Sequence, residues 1–237
     1  MTGEYAGAVL RVDLDNGRTK RETLPETVLR QFIGGTGLGA KFLYEEVPPG
    51  IGWSDPRNRL ILAAGPLNAT PIGGSGSVSV VSKGPLTNGA GCSQANGFFG
   101  AFLRLCGLNG MVIRGSAKGL RYLYVDEESA ELREADGLSG LDTYQTADQL
   151  KREHGCGERD MSVASIGPAG ENLVKFAGVF FDHGHSASHN GLGAVMGSKR
   201  LKAIAVARGK REIPMDDPGR IRDISRKLVE NVKEQSM

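Results

Sequence analysis

Alternating hydrophobic and polar residues predict a β-hairpin at the start of the chain. The segment from Gly7 to Asp13 alternates in character, and the following Asp15-Asn16-Gly17 supplies residues that tolerate the left-handed φ angles of a tight turn. The segment from Arg18 to Thr23 can then return as the second strand.

Further along the chain, the pattern predicts helices and buried strands in alternation. Pro25, with Val28, Leu29 and Phe32 at helical spacing, predicts a short helix that Gly34-Gly35 ends. A second helix is expected at Thr146–Glu153. The predicted strands are Leu60–Ala64, Ser77–Ser82, Leu123–Asp126, Ala130–Arg133 and Ser162–Ile166.

The order of these elements suggests an internal duplication. Leu10–Asp13 matches Leu123–Asp126, and Gly97–Gly115 is offset from Gly191–Gly209 by 94 residues (191 − 97). The alternative is that such units recur by chance in α+β proteins. A duplication predicts that two polar, glycine-flanked loops, 89–97 and 183–193, occupy equivalent places. Each precedes a predicted helix, and backbone N–H groups at helix starts bind phosphate, so the pair suits a ligand with two phosphates.

The composition changes after Gly209. Asp217-Pro218 is a typical helix start, and an apolar stripe follows at helical spacing, made of Ile221, Ile224, Leu228 and Val232. Such a stripe usually faces a core. We therefore expect this helix either to fold back on the domain or to lead into further protein.

Composition excludes several classes of protein. Gly contributes 35 of 237 residues, hydrophobic residues 39%, and the formal net charge is +2, which argues against a disordered chain and against nucleic-acid binding. No apolar run approaches the ~20 residues of a membrane span, and the N-terminus has no secretory leader pattern. Three cysteines, Cys92, Cys106 and Cys156, fit neither a disulfide framework nor a close-spaced metal site. A cytoplasmic protein is expected.

Three motifs invite chemical interpretations. Gly34–Gly39 has the glycines of a dinucleotide fingerprint but follows a helix, and Gly193–Lys199 lacks the spacing of a phosphate-binding P-loop. Asp182, His183, His185 and His189 form a candidate metal or proton-transfer cluster. The alternative is that these histidines are exposed loop residues.

Longer motifs carry a resemblance to a known family. They are Tyr5–Asp13, Gly34–Gly39, Glu46–Gly50, Ala63–Leu67, Ser82–Thr87, Ile166–Val174 and Gly193–Lys199. In this order they resemble the N-terminal domain of the tungsten-dependent aldehyde:ferredoxin oxidoreductases. The resemblance implies an α+β fold, internally duplicated, with two β-sheets and flanking helices and a saddle-like face for a bis-pterin cofactor. It assigns residues 1–209 to that domain and residues 210–237 to a linker and helix leading into a missing or separate partner domain.

The resemblance also implies a set of cofactor contacts. The cofactor would be tungsten, or molybdenum, held by two pterins, with Mg²⁺ bound by the backbone carbonyls of Gln94 and Ser186. The implied cofactor-binding residues are Ser77, Gln94, Ala95, Asn96, Gly97, His185, Ser186, Ala187, Ser188 and His189. The family commonly has Arg where this chain has Ser77, His185 and His189, and Arg is the stronger phosphate clamp.

The implied activity is the oxidation of an aldehyde substrate to a carboxylic acid. Electrons would pass through a [4Fe-4S] cluster that this chain does not ligate, in the remaining catalytic domains or a partner subunit, to ferredoxin or another electron carrier. An oligomer is expected, with neither nucleic acid nor membrane as partner. Two alternatives stay open: a related tungsten subunit of an aromatic acyl-CoA reductase, and a non-catalytic metallopterin-binding module.

Overall fold

The first half of the chain forms a six-stranded mixed sheet. The computed structural model describes residues 5–235. The strands are β1 (Ala8–Asp13), β2 (Arg18–Thr23), β3 (Leu60–Ala64), β4 (Val78–Lys83), β5 (Ala90–Ala95) and β6 (Leu108–Arg114), and the helices are α1 (Glu26–Phe32), α2 (Gly35–Glu46) and α3 (Phe99–Leu105). The strand order is β2-β1-β6-β3-β4-β5. Only the β1–β6 pair is parallel.

The second half forms another six-stranded sheet. Its strands are β7 (Arg121–Val125), β8 (Ala130–Glu134), β9 (Met161–Ser165), β10 (Val179–Phe181), β11 (His185–Ala187) and β12 (Leu201–Ala207), and the helices are α4 (Thr143–Glu153), α5 (Pro168–Glu171) and α6 (Leu192–Ser198). The order, read from the hairpin edge, is β8-β7-β12-β9-β10-β11. Only the β7–β12 pair is parallel.

The two sheets therefore have the same topology, which supports the predicted duplication and confirms the α+β class. Even an irregularity repeats. The pairing of β1 with β6 skips Asn109, and the pairing of β7 with β12 skips Lys202, at the same point of each ladder. A β-bulge at the same position in both sheets is expected if the two halves arose by duplication.

Helices α3 and α6 lie between the two sheets and contact both of them. Their apolar side chains join the inner faces of both sheets in one core, where the rings of Phe99 and Phe181 meet edge to face with centroids 5.1 Å apart. Helix α2 covers the outer face of the first sheet with Leu38 and Phe42. Helix α4 covers the outer face of the second sheet with Ala147 and Leu150. Both sheets are thus buried on two sides.

Three local features differ from the sequence-based expectation. Gly34-Gly35 follows the end of α1, as expected. However, Gly35 also begins α2, a helix that the pattern did not predict. The two polar segments expected to be loops contain the strands β5 and β11. Both are edge strands, and the exposed positions of an edge strand are polar, so their composition resembles that of a loop.

The predicted C-terminal helix is present as α7 (Pro218–Gln235). None of its described residues is buried, and Ile224, Leu228, Val229 and Val232 are all exposed. The Ser225 hydroxyl donates a hydrogen bond to the Pro71 carbonyl at 2.7 Å. The apolar stripe is therefore not packed into the core of residues 5–235. Within those residues, no helix combines the length and apolar character needed to cross a membrane.

A buried lysine links the two halves. Lys199, directly after α6, is 1% exposed, and its ammonium donates to the carbonyls of Asn58, Gly115 and Pro56 at 2.7, 3.1 and 3.4 Å. These carbonyls belong to the first half. Burial, with a smaller contribution from the nearby Arg59 guanidinium, lowers the pKa of Lys199 to about 7. The fold thus disfavours the charged form relative to the unfolded chain.

We expect Lys199 to make stability depend on pH. Because the pKa is about 7 in the folded chain and 10.5 for a free lysine, the unfolded chain binds more protons between these values. The free energy of unfolding should therefore rise with pH across that range, by up to about 1.4 kcal/mol per pH unit from this one group. Urea unfolding at several pH values should show this slope in the wild type and a smaller slope in Lys199→Met. Parallel pH profiles for the two proteins would contradict the assignment.

A second prediction concerns the close packing of α6. A Cβ atom added at Gly197 would lie 2.0 Å from the Gly170 carbonyl oxygen, on the backbone of α5. Gly197→Ala should therefore force α5 and α6 apart and lower the free energy of unfolding by about 2 kcal/mol or more. Gly52→Ala is the matched control, because a Cβ there meets nothing within 4 Å. Equal denaturant midpoints for the two variants would show that the helices separate without cost.

Candidate functional site

The two edge strands β5 and β11 lie side by side where the halves meet. The His189 backbone N–H donates to the Ser93 hydroxyl at 3.1 Å, and the Asn190 side-chain amide donates to the Cys92 carbonyl at 2.8 Å. A Cβ at Gly91 would lie 2.9 Å from the Asn190 Cβ. Glycine at position 91 therefore permits this close approach.

The ladder register makes Gln94 and Ser186 equivalent. In the first sheet, Ala63 pairs with Ser79 and Ser79 pairs with Gln94. In the second sheet, Ser165 pairs with Phe180 and Phe180 pairs with Ser186. Ala63 and Ser165 themselves face Gly110 and Ala203, which directly follow the skipped bulge residues.

The same register extends to the neighbouring residues. Ala95 and Ala187 are equivalent and both are buried. The next residues, Asn96 and Ser188, are both exposed. Gln94 and Ser186 differ by 92 positions (186 − 94). The bulge residues Asn109 and Lys202 differ by 93 (202 − 109), so the offset of 94 predicted for 97–115 is one residue too large there.

The Gln94 carbonyl points away from its own sheet. The Cys92 carbonyl lies on the free edge, since it accepts from Asn190 of the other half. In an antiparallel ladder, residues two apart direct their C=O groups to the same side, so the Gln94 carbonyl also faces that edge.

The Gln94 side chain lies in a separate polar cluster. Its amide nitrogen is 3.3 Å from the hydroxyls of both Thr36 and Ser79. The Thr36 hydroxyl, in the first turn of α2, also lies 3.1 Å from the Cys92 Sγ. Sequence analysis did not identify Thr36, Ser79 or Cys92 as site residues. The Gly34–Gly39 motif was the available signal for Thr36, because it begins α2.

The other predicted site residues form a patch around the ends of both edge strands. The Ser77 hydroxyl donates to the Asn96 side-chain oxygen at 3.3 Å. Gly97 has φ of +109°, and a Cβ there would lie 3.0 Å from the ring of His185. This ring reaches from the second half to the end of β5. Ser186, Ser188 and His189 are exposed.

The histidine cluster considered from sequence does not form one centre. The His183 ring lies 2.8 Å from Asp148 of α4, whereas the His185 ring lies beside Gly97. The Asp182 carboxylate is buried and accepts hydrogen bonds from the Ser162 hydroxyl and the Val163 backbone N–H. The hypothesis of a shared metal or proton-transfer site for these residues is therefore wrong.

The polar groups that the patch offers to a ligand are mainly backbone carbonyls, hydroxyls, one amide side chain and imidazoles. The predicted site residues include no Lys or Arg. Binding of an anionic ligand here would depend on hydrogen-bond donors and on His185 and His189 rather than on permanent cations.

Comparison with known proteins identifies the family of this domain. The model of the aldehyde ferredoxin oxidoreductase N-terminal domain matches residues 9–208. The tungsten-containing aldehyde ferredoxin oxidoreductase of Pyrococcus abyssi is 39% identical over 229 residues, 97% of this chain and 37% of that protein. The aliphatic sulfonate oxidoreductase, WOR-like subunit, of Pyrococcus furiosus is 36% identical, over 89% of this chain and 35% of its own length.

A solved structure agrees closely with the fold. It is the active site complex BamBC of benzoyl coenzyme A reductase in complex with 1,5-dienoyl-CoA, with a TM-score of 0.94 and 34% identity over 100% of this chain and 36% of that one. The chain thus spans just over a third of the length of these relatives. The family match and the shared fold together confirm the resemblance seen in the sequence motifs: the chain belongs to the aldehyde ferredoxin oxidoreductase family of tungsten oxidoreductases and corresponds to its N-terminal domain.

Proposed function

We propose that the junction of β5 and β11 holds one face of a tungsten, or molybdenum, bis-pterin cofactor together with Mg²⁺. The observation that supports this most directly is the equivalence of Gln94 and Ser186 on adjacent edge strands. A ligand with two similar halves needs two similar attachment points. The fold supplies them by repeating the same ladder position in each sheet.

The residues present fit a magnesium ion. Mg²⁺ prefers oxygen ligands and commonly bridges phosphate oxygens to protein oxygens. The Gln94 carbonyl faces the free edge, and its own side chain is held by Thr36 and Ser79 on the α2 side. In this proposal the carbonyls of Gln94 and Ser186 would hold Mg²⁺, which would offset the negative charge of the pterin phosphates.

The remaining residues of the patch fit the pterin and phosphate groups. Ser77, Asn96 and Ser188 offer hydroxyl and amide groups. His185 and His189 take the places where the family commonly has Arg. Gly97 leaves room for the His185 ring. The chain's own residues thus bind and orient the cofactor, while the reaction chemistry belongs to the cofactor.

The proposed reaction is the oxidation of an aldehyde and water to a carboxylic acid, two electrons and two protons. The bound cofactor supplies the two-electron redox chemistry. The electron acceptor would be ferredoxin or another carrier, reached through a [4Fe-4S] cluster that other domains or a partner subunit would hold. The remaining domains or a partner subunit would complete the substrate pocket, since the relatives are almost three times as long as the matched segment.

A second candidate is the reduction of an aromatic acyl thioester. It is favoured by the likeness to the benzoyl coenzyme A reductase complex. The aldehyde reaction is our first choice, because the chain is 39% identical to an aldehyde ferredoxin oxidoreductase and 34% identical to that complex.

Substrate tests on the protein purified from tungstate-supplied cells distinguish these functions. We expect tungsten, pterin and iron in the native protein and aldehyde-dependent reduction of a viologen dye. Activity with an aromatic acyl thioester and none with aldehydes would support the second candidate. Tungsten and pterin without iron or either activity would indicate a non-catalytic module and overturn the proposal.

The alignment of the two edge strands can be tested separately. In Gly91→Val, the new side chain would collide with Asn190 and push β5 away from the second half. We expect tungsten and pterin per chain to fall about tenfold or more, the factor that ~1.4 kcal/mol of lost binding produces. Gly89→Ala is the control, because its Cβ would meet only the Thr87 hydroxyl at 3.3 Å. Gln94→Ala should retain the metal, because it keeps the carbonyl. Full metal retention by Gly91→Val would refute the junction as the site.

The proposed role of His185 predicts opposite effects of opposite charges. His185→Arg should increase retention of the pterin phosphates during purification, since a permanent guanidinium makes stronger, charge-assisted hydrogen bonds. His185→Glu should decrease it through repulsion. Gln31→Glu, which adds the same negative charge at an exposed position of α1, should leave pterin content unchanged. If His185→Glu and Gln31→Glu behave alike, His185 does not contact the cofactor.

A further inference from the structure

Three potential metal ligands converge beside the turn between β10 and β11. Asp148 comes from α4, Glu158 from the segment after α4, and His183 from the turn itself. One His183 ring nitrogen, Nε2, lies 2.8 Å from an Asp148 carboxylate oxygen, and the other, Nδ1, lies 3.7 Å from a Glu158 oxygen. One ligand atom from each residue can be chosen so that all three lie within 4.8 Å of one another.

The position of His183 is fixed by its surroundings. The preceding residue, Asp182, is buried and held by the Ser162 hydroxyl at 2.6 Å and the Val163 N–H at 3.0 Å. The imidazole also stacks on the Tyr144 ring, with centroids 5.2 Å apart and planes 8° from parallel. The one nitrogen ligand of the group is therefore held in place before any ion binds.

The charges around the group favour a cation. The buried Lys151 ammonium contacts one Glu158 oxygen at 2.8 Å and an Asp182 oxygen at 3.2 Å. The second Glu158 oxygen is the one that faces His183. The carboxylates of Glu158 and Asp182 thus share one lysine, while the Asp148 carboxylate contacts the His183 ring. A divalent ion between Asp148, Glu158 and His183 would offset the remaining negative charge.

The donor chemistry selects among the divalent ions. An imidazole nitrogen with two carboxylates suits Zn²⁺ and its first-row neighbours, whereas Mg²⁺ prefers oxygen ligands alone. Ligands at the usual 2.0–2.2 Å from zinc lie roughly 3.5 Å apart in a tetrahedron. Because Asp148 and Glu158 are exposed, their side chains can adjust towards that spacing.

We propose that Asp148, Glu158 and His183 bind a divalent transition-metal ion, with Zn²⁺ preferred and water completing the coordination. Such an ion would link α4, the segment after it and the turn that leads into β11. It would therefore stabilise the second edge strand from outside the sheet.

Calorimetric titration of the metal-free 237-residue chain with ZnCl₂ and MgCl₂ tests this proposal. We expect one Zn²⁺ per chain at this site and no comparable Mg²⁺ binding. His183→Asn and Asp148→Asn should each weaken that Zn²⁺ binding at least about tenfold, the effect expected for loss of a ligand. Matched controls are His185→Asn, an exposed histidine two residues away, and Asp136→Asn, an exposed carboxylate elsewhere. Both controls should bind Zn²⁺ as the wild type does.

A second measurement separates this site from other zinc-binding groups. Zn²⁺ should raise the unfolding temperature of the wild type and of both controls but not of His183→Asn. Equal Zn²⁺ affinity in the wild type, His183→Asn and Asp148→Asn would overturn the proposal. So would the loss of Zn²⁺ binding in His185→Asn, which would place the ion near β5 instead.

Discussion

The close contact between the edge strands β5 and β11 is the constraint on which the proposed site depends. It is made by backbone and small side chains: Asn190 reaches the Cys92 carbonyl, and His189 reaches Ser93 across the boundary. Any side chain at Gly91 would separate the strands. Each strand belongs to a separate sheet, and the same ladder position is repeated in both sheets. The contact between the strands therefore brings the two copies of that position next to each other. This contact allows two halves with different sequences to form one pseudo-symmetric site.

The sequence predicted the regular elements well and the irregular ones poorly. Strands such as β1, β3 and β9 were found because their apolar residues follow a strand pattern and because turn residues bound them. Helix α2 was missed, since Gly34 and Gly35 normally end a helix, and here Gly34 fits where a Cβ would lie 2.7 Å from the Ala64 carbonyl. Close packing, which is not visible in a single sequence, determined that helix start.

The sequence indicated residues of the proposed site but not how they are arranged. Family motifs indicated Gln94, Ser186 and His185, but the offset of 94 found over 97–115 does not extend to Gln94 and Ser186, which differ by 92 (186 − 94). The hairpin of β10 and β11 is shorter than that of β4 and β5, so the offset changes within the repeat. Only the ladder pairing defines which residues are equivalent. The histidine cluster failed because His183 lies in the turn before β11 and contacts Asp148 of α4, whereas His185 lies on β11 beside Gly97.

In our proposal, the use of backbone groups explains how the halves could diverge in sequence while remaining equivalent in structure. Gln94 and Ser186 have little in common as side chains, and the Gln94 amide is engaged with Thr36 and Ser79 instead. Every residue has a backbone carbonyl. Selection for an Mg²⁺ ligand of this kind would therefore conserve the path of the strand, while the side chain could vary. The glycines that allow the strands to meet are then under stronger structural restriction than the proposed ligand residues themselves. In our proposal, Ser77, His185 and His189 stand where the family commonly has Arg, and this difference would alter the strength of phosphate binding.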